Sequence, residues 1–139
     1  VYSKYKGNFL TKVVQAAQNE NDLKVVNDQI GVPTSSSFIA NVVMDIINNN
    51  NASYGIYNVV PDGHASWYDF STYIIDKLKN YKIKPIGIEK ITSDQLNLIA
   101  RRPSYSVLSN ERLNNTVSFE IKDWRYYVDQ LLQEVIDIT

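Results

Sequence analysis

The sequence contains no cysteine and a single histidine, His64, among its 139 residues. Without thiols there is no disulfide framework, no thiolate nucleophile and no cysteine-ligated zinc. One imidazole excludes a multi-histidine metal centre. Glycine is scarce as well: the five glycines stand apart, so no phosphate-cradling loop of the P-loop or dinucleotide type is present. Charge of one sign is also missing. The 14 Lys and Arg against 15 Asp and Glu leave a net charge of −1, which argues against an electrostatic nucleic-acid binder. No apolar run approaches the roughly 20 residues of a membrane span, and no basic segment leads into an apolar signal-like stretch. No membrane partner and a cytoplasmic location are therefore expected. The acids are spread without a pairing of the glycosidase kind.

What is present is an apolar fraction of 44%, enough for one real core in a chain of this length, with helical and strand-like periods in alternation. Phe9, Val13, Ala16 and Ala17 predict a helix over 8–20, and 23–27 is a short β-branched stretch. Ser35, Ser36 and Ser37 offer caps to a helix with Phe38, Ile39, Val42, Val43, Ile46 and Ile47 inward, ending in the Asn run 48–51. Residues 55–60 alternate like a strand. A capping box, Ser66 to Asp69, opens a helix to about Asn80 with Phe70, Ile74, Ile75 and Leu78 inward. Residues 82–88 suggest an edge strand, because Pro85 cannot donate to a ladder. Thr92 and Ser109 open short helices. Asp123 caps a C-terminal amphipathic helix carrying Trp124, Tyr127, Val128, Leu131, Leu132, Val135 and Ile136 on one stripe. The expected class is α/β, several helices around short strands, in a single domain over 1–139.

Few groups in this chain can do chemistry. His64 lies in a turn. Two stretches, Tyr2 to Lys6 and Tyr73 to Lys77, match Tyr-x-x-x-Lys, in which a lysine lowers the phenol pKa for proton transfer. Neither follows a nucleotide motif, and with ten tyrosines such matches arise by chance. Two segments carry more. Asn27, Asp28 and Gln29 either hydrogen-bond a hydroxylated ligand or satisfy their own turn. Arg101 and Arg102, stiffened by Pro103, suit a diphosphate through bidentate guanidinium forks, or else pair with surface carboxylates.

These segments, NDQIGVPTS at 27–35 and RRPSYSVLSNERL at 101–113, stand in order with VY and GNF at 1–9, GIYNVV at 55–60, SWYDF at 66–70 and IKDW at 121–124. Together they resemble the dTDP-4-dehydrorhamnose reductases, extended short-chain dehydrogenase/reductases that use NADPH or NADH. The resemblance implies reduction of the 4-keto group of dTDP-6-deoxy-L-lyxo-4-hexulose to dTDP-L-rhamnose. It also implies that the Gly-rich nucleotide motif and the catalytic Tyr-x-x-x-Lys precede the position of Val1. The chain is thus expected to be a C-terminal substrate-binding region without the Rossmann half, with no catalytic residue, no bound cofactor and no turnover of its own. Carried over by motif, the substrate-binding candidates are Asn8, Phe9, Asn27, Gln29, Pro33, Thr34, Arg101 and Arg102.

Some members of that family dimerise through a carboxylate-held metal. Ser37 stands at one such position, where a hydroxyl is a poor Mg²⁺ ligand, while Glu134 matches another. No metal site is expected. An apolar face left by the absent half is expected to drive homodimerisation or a domain swap. The alternatives are a non-catalytic regulatory relative of the same fold, or a reductase or epimerase of another nucleotide-sugar.

Overall fold

A computed structural model describes residues 1–5, 7–49, 52–96 and 100–138. Three amphipathic helices build the main core, and each starts on a side-chain cap that absorbs otherwise unpaired N–H groups. Helix α1 (Phe9–Gln18) opens on a reciprocal box in which Asn8 Oδ1 accepts from the Thr11 N–H and Thr11 Oγ1 accepts from the Asn8 N–H. Helix α3 (Trp67–Leu78) opens on the predicted box: Ser66 Oγ accepts from the Asp69 N–H at 3.0 Å, and Asp69 Oδ2 accepts from the Ser66 N–H at 3.3 Å. Helix α5 (Trp124–Ile138) starts at Asp123, whose Oδ1 accepts from the Arg125 N–H at 2.9 Å. Their inward stripes meet in one cluster that includes Leu10, Val14, Phe70, Ile74, Trp124, Val128 and Leu132. Each such side chain contributes roughly 1.5–3 kcal/mol on burial.

Two small sheets flank these helices. Strand β1 (Leu23–Val26) runs parallel to β4 (Ile88–Ile91), with Leu23 opposite Ile88 and Val26 opposite Ile91. Strand β2 (Ile30–Gly31) runs antiparallel to β3 (Ala65–Ser66). Between them, α2 (Ser36–Asn48) and the short α4 (Glu111–Asn114) close a second cluster of Phe38, Val42, Leu113, Ile121 and Tyr127. Tyr127 belongs to α5, so that helix serves both clusters. The class is α/β, as expected from the alternating periods.

Five local expectations change. Residues 55–60 form no strand, and Ile56 is 86% exposed. A ladder needs a neighbour, and alternation cannot supply one. Side chains take the carbonyls instead: Arg112 donates to those of Tyr54 and Ile56, and Asn110 to that of Val60. Residues 82–88 become strand only at Ile88, once past Pro85. Helix α3 ends at Leu78 and tightens into a 3₁₀ turn, Lys79–Tyr81, closed by Lys82 in the left-handed region at φ 61°. In α2 only Phe38 and Val42 are buried, while Val43, Met44 and Ile47 face outward. The short helix predicted from Thr92 is a 3₁₀ turn, Ser93–Leu96; its expected continuation over 97–99 lies outside the described residues, as do Lys6 and the end of the Asn run. Among the described residues no helix is long and apolar enough to cross a membrane.

Candidate functional site

A cavity of about 400 Å³ opens where α1 and α3 begin, beside the segment that leads into α2. Its floor is the backbone and side chains of Gln29 to Thr34, that is β2 and the turn after it. A second wall is aromatic. Phe9 and Trp67 occupy the first positions of α1 and α3, and their ring centroids lie 4.6 Å apart. Phe70 stands behind them, 5.9 Å from Phe9 and 5.5 Å from Tyr2. The third wall comes from Arg102, Pro103, Ser106 and Leu108. Backbone bonds hold it to the floor: the Ile30 N–H donates to the Ser104 carbonyl at 2.8 Å, and the Ser106 N–H to that of Ile30 at 2.9 Å. Gly31 permits this approach, since a Cβ there would sit 3.1 Å from Ser106 Oγ.

The electrostatics favour an anion. The N-terminal ends of α1 and α3, each at least ten residues long, carry partial positive charge at the cavity, which Phe9, Ser66 and Trp67 line. A side-chain cap takes one N–H of each, that of Thr11 on Asn8 and that of Asp69 on Ser66. Arg102 reaches the cavity, and among the described residues neither it nor Arg101 has an ion-pair or hydrogen-bond partner. A guanidinium without a carboxylate is ready to take phosphate oxygens.

The NDQ segment has a different local role. Asn27 Oδ1 lies 3.3 Å from Ser66 Oγ, whose proton goes to Asp69 Oδ2 at 2.7 Å. The Asp28 carboxylate accepts from the Ser93 N–H at 2.9 Å and from its hydroxyl at 2.7 Å, and these bonds hold the carboxyl below the usual aspartate range. Gln29 Nε2 donates to the same Ser93 oxygen at 2.8 Å. The three side chains fasten the end of β1 to the turn after β4 and to the start of α3.

Of the eight candidates named from the motifs, Phe9, Gln29, Pro33, Thr34 and Arg102 come together on the cavity. Asn8, Asn27 and Arg101 do not line it; Asn8 caps α1 and donates to the carbonyls of Ser3 and Tyr5. Sequence reading missed Trp67, Phe70, Ser106 and Leu108 as wall residues and Ser93 as the anchor. A signal existed for Trp67: it follows the cap at the first helical position, ahead of the inward stripe that Phe70 begins. The Tyr73 and Lys77 match is a surface cluster, with both side chains donating to Asp129 at 2.9 and 3.0 Å. Burial, then the bond to Asp129, raises the Tyr73 phenol, the wrong direction for a proton donor near neutrality.

The two positions carried over for a bridging metal are engaged within the chain. Glu134 is paired with Lys4 at 2.6 Å, and Ser37 Oγ lies 3.1 Å from Ser35 Oγ. Among the described residues no three His, Asp or Glu side chains cluster to hold an ion.

Comparison with known proteins agrees with this geometry. Residues 1–136 match the family described as RmlD substrate binding domain. The dTDP-4-dehydrorhamnose reductase of Sinorhizobium fredii is 32% identical over 129 residues, covering 89% of this chain and 44% of that protein. Among solved structures, a dTDP-4-dehydrorhamnose reductase from Clostridium acetobutylicum superposes with a TM-score of 0.79 at 30% identity, over 96% of this chain and 46% of that one. The dTDP-4-dehydrorhamnose reductase of Bacillus anthracis, solved in complex with NADP, shares the fold at a TM-score of 0.82 and 24% identity, over 96% of this chain and 45% of that one. The chain therefore spans less than half the length of the curated relatives it matches. By its motifs, its cavity and a family match over 1–136, the chain belongs to the RmlD substrate binding domain family.

Proposed function

We propose that these 139 residues are the substrate-binding half of a dTDP-4-dehydrorhamnose reductase and that they form a single domain. The observation that carries the reading is Arg102, a guanidinium with no partner among the described residues, on a cavity lined also by aromatic rings, aliphatic side chains and the 29–34 segment. A nucleotide-sugar has this division, an anionic diphosphate between rings with apolar faces. The names of the relatives favour this over a non-catalytic relative or an enzyme of another nucleotide-sugar.

The proposed overall reaction reduces the C4 ketone of dTDP-4-dehydrorhamnose to the alcohol of dTDP-rhamnose by one hydride and one proton. NADPH or NADH, when bound to the intact enzyme, supplies the hydride. The proton donor also lies outside these residues. This chain's part is to bind and orient: Arg102 takes diphosphate oxygens, the floor at 29–34 fixes the depth of the ligand, and the Asp28–Ser93 lock keeps that floor in place. A position held to within an ångström is worth orders of magnitude in rate when a hydride must be aligned with a carbonyl.

The test is calorimetric titration of the full-length protein with dTDP-rhamnose. Arg102→Ala removes a charge-assisted contact of about 1.5–3 kcal/mol, so affinity should fall roughly 10- to 100-fold. Unchanged affinity overturns the assignment. The 139-residue chain by itself should show no turnover with NADPH and the keto-sugar; measurable turnover would contradict the division of labour. The reading places the enzyme in the cytoplasm, where reduced nicotinamide is supplied. It also expects the isolated chain to self-associate through the outward apolar side of α2, at Val43, Met44 and Ile47.

A further inference from the structure

The chain has two tryptophans, and they are treated differently. Trp124 is fully buried, whereas Trp67 is 37% exposed on the cavity. Leaving an indole in contact with water forgoes much of its large apolar surface. Packing does not require that exposure, because Phe70, one turn further along α3, fills the core beneath it. Phe9 meets the indole from α1, 4.6 Å away between centroids, and Ala65 adds a methyl to the same cavity.

The polar groups along this wall are already committed. The Ser66 hydroxyl donates to Asp69 Oδ2 at 2.7 Å, and that of Thr34 donates to the Val32 carbonyl at 3.0 Å. The Gln29 amide nitrogen is held by Ser93. Toward a ligand, the wall presents mainly carbon. Arg102, the anion contact, belongs to a different chain segment and a different wall.

Rhamnose and its 4-keto precursor are 6-deoxy sugars: C5 carries a methyl where common hexoses carry a hydroxymethyl. We propose that Trp67 and Phe9 seat the 6-deoxyhexosyl ring and its C5 methyl, and that Trp67 thereby sets the preference for a 6-deoxy over a 6-hydroxy sugar. The inference rests on the nucleotide-sugar reading above. A 6-hydroxyl placed on this wall exchanges water for carbon and goes unpaired. An apolar wall rejects an added hydroxyl only modestly, so the expected preference is about 10- to 100-fold.

The experiment uses the full-length protein and three probes, dTDP, dTDP-glucose and dTDP-6-deoxyglucose, the last two differing by one oxygen. Wild type should bind the 6-deoxy sugar roughly tenfold or more tighter than dTDP-glucose. Trp67→Ala should bring that ratio to within about twofold while leaving dTDP affinity within about twofold of wild type, and Trp67→Phe should keep most of the preference. An equal loss for dTDP would place the base on the indole and overturn the proposal. So would an unchanged sugar ratio in Trp67→Ala. If that variant does not fold, Trp67→Gln, which puts an amide able to pair a 6-hydroxyl on this wall, is judged by the same ratio. Wild type that binds none of the three probes would sink the nucleotide-sugar reading itself, an outcome distinct from failure of the sugar preference.

Discussion

Replacing Tyr2 by phenylalanine removes one oxygen from the interior and should stabilise the fold. Tyr2 is 3% exposed, its ring lies 5.5 Å from that of Phe70, and its hydroxyl has no hydrogen-bond partner among the described residues. An unpaired buried hydroxyl costs about 1–3 kcal/mol in protein substitution series. Phenylalanine keeps the ring and its contacts, so after a small packing loss the net gain should be about 0.5–2 kcal/mol. In a chain of this size that raises the midpoint by roughly 3–4 °C per kcal/mol in a thermal scan. The pH dependence gives a second readout. Burial holds the Tyr2 phenol above its ordinary value, and the neighbouring Tyr127, Asp129 and Tyr73 push it the same way. The unfolded chain releases this proton near pH 10 and the folded chain only at higher pH, so wild-type stability declines as pH rises past about 10. Tyr2→Phe lacks that decline, and its advantage should widen on the alkaline side. Tyr73 and Tyr127, also raised, keep their own contributions in both proteins. A variant destabilised by about 0.5–1.5 kcal/mol would refute the reasoning, because it would mean that the hydroxyl is paired, for instance through a water shared with the equally unpartnered Trp124 Nε1.

Other perturbations test the frame of the site. Ser66→Ala removes the α3 cap and should cost about 1 kcal/mol in urea unfolding; a loss near zero would deny that the cap matters. Asp28→Asn should lower the melting temperature at pH 7, and the gap to wild type should close as pH falls through the folded value, below the usual aspartate range. A gap constant with pH would show that the Ser93 bonds are not its cause. Gly63→Ala meets both a positive φ of 80° and the Asp123 carboxylate, so it should destabilise by more than about 1 kcal/mol by denaturant titration. Met44→Glu combined with Ile47→Lys should shift the isolated chain toward monomer in light scattering; an unchanged mass would place any association elsewhere.

The comparison of sequence with structure divides along physical lines. The helix starts at Ser35, Ser66 and Asp123 were legible because a cap is a local bond within three residues, whereas the cap at Asn8 was not read from the sequence. The stripe of α5 was legible because its period reports one buried face. The α2 stripe misled: apolar residues run around most of that helix, and only tertiary packing selects Phe38 and Val42 over Val43 and Ile47. Likewise, alternation at 55–60 describes a capacity to pair, which no described neighbour meets.

The site shows the same division. Composition excluded thiol, multi-histidine and glycine-loop chemistry within these residues, and the resemblance of the motifs pointed to a nucleotide-sugar family. They singled out NDQIGVPT and RRP but not what each side chain does there. Residues 28 and 93 lie 65 positions apart, and no local period announces that Ser93 would hold both Asp28 and Gln29. The gathering of two helix starts, their aromatic pair from α1 and α3, and an arginine with no partner among the described residues into a single cavity exists only once the chain has folded. Caps and periods are written over a few residues, whereas a binding wall is made from segments that only packing brings together.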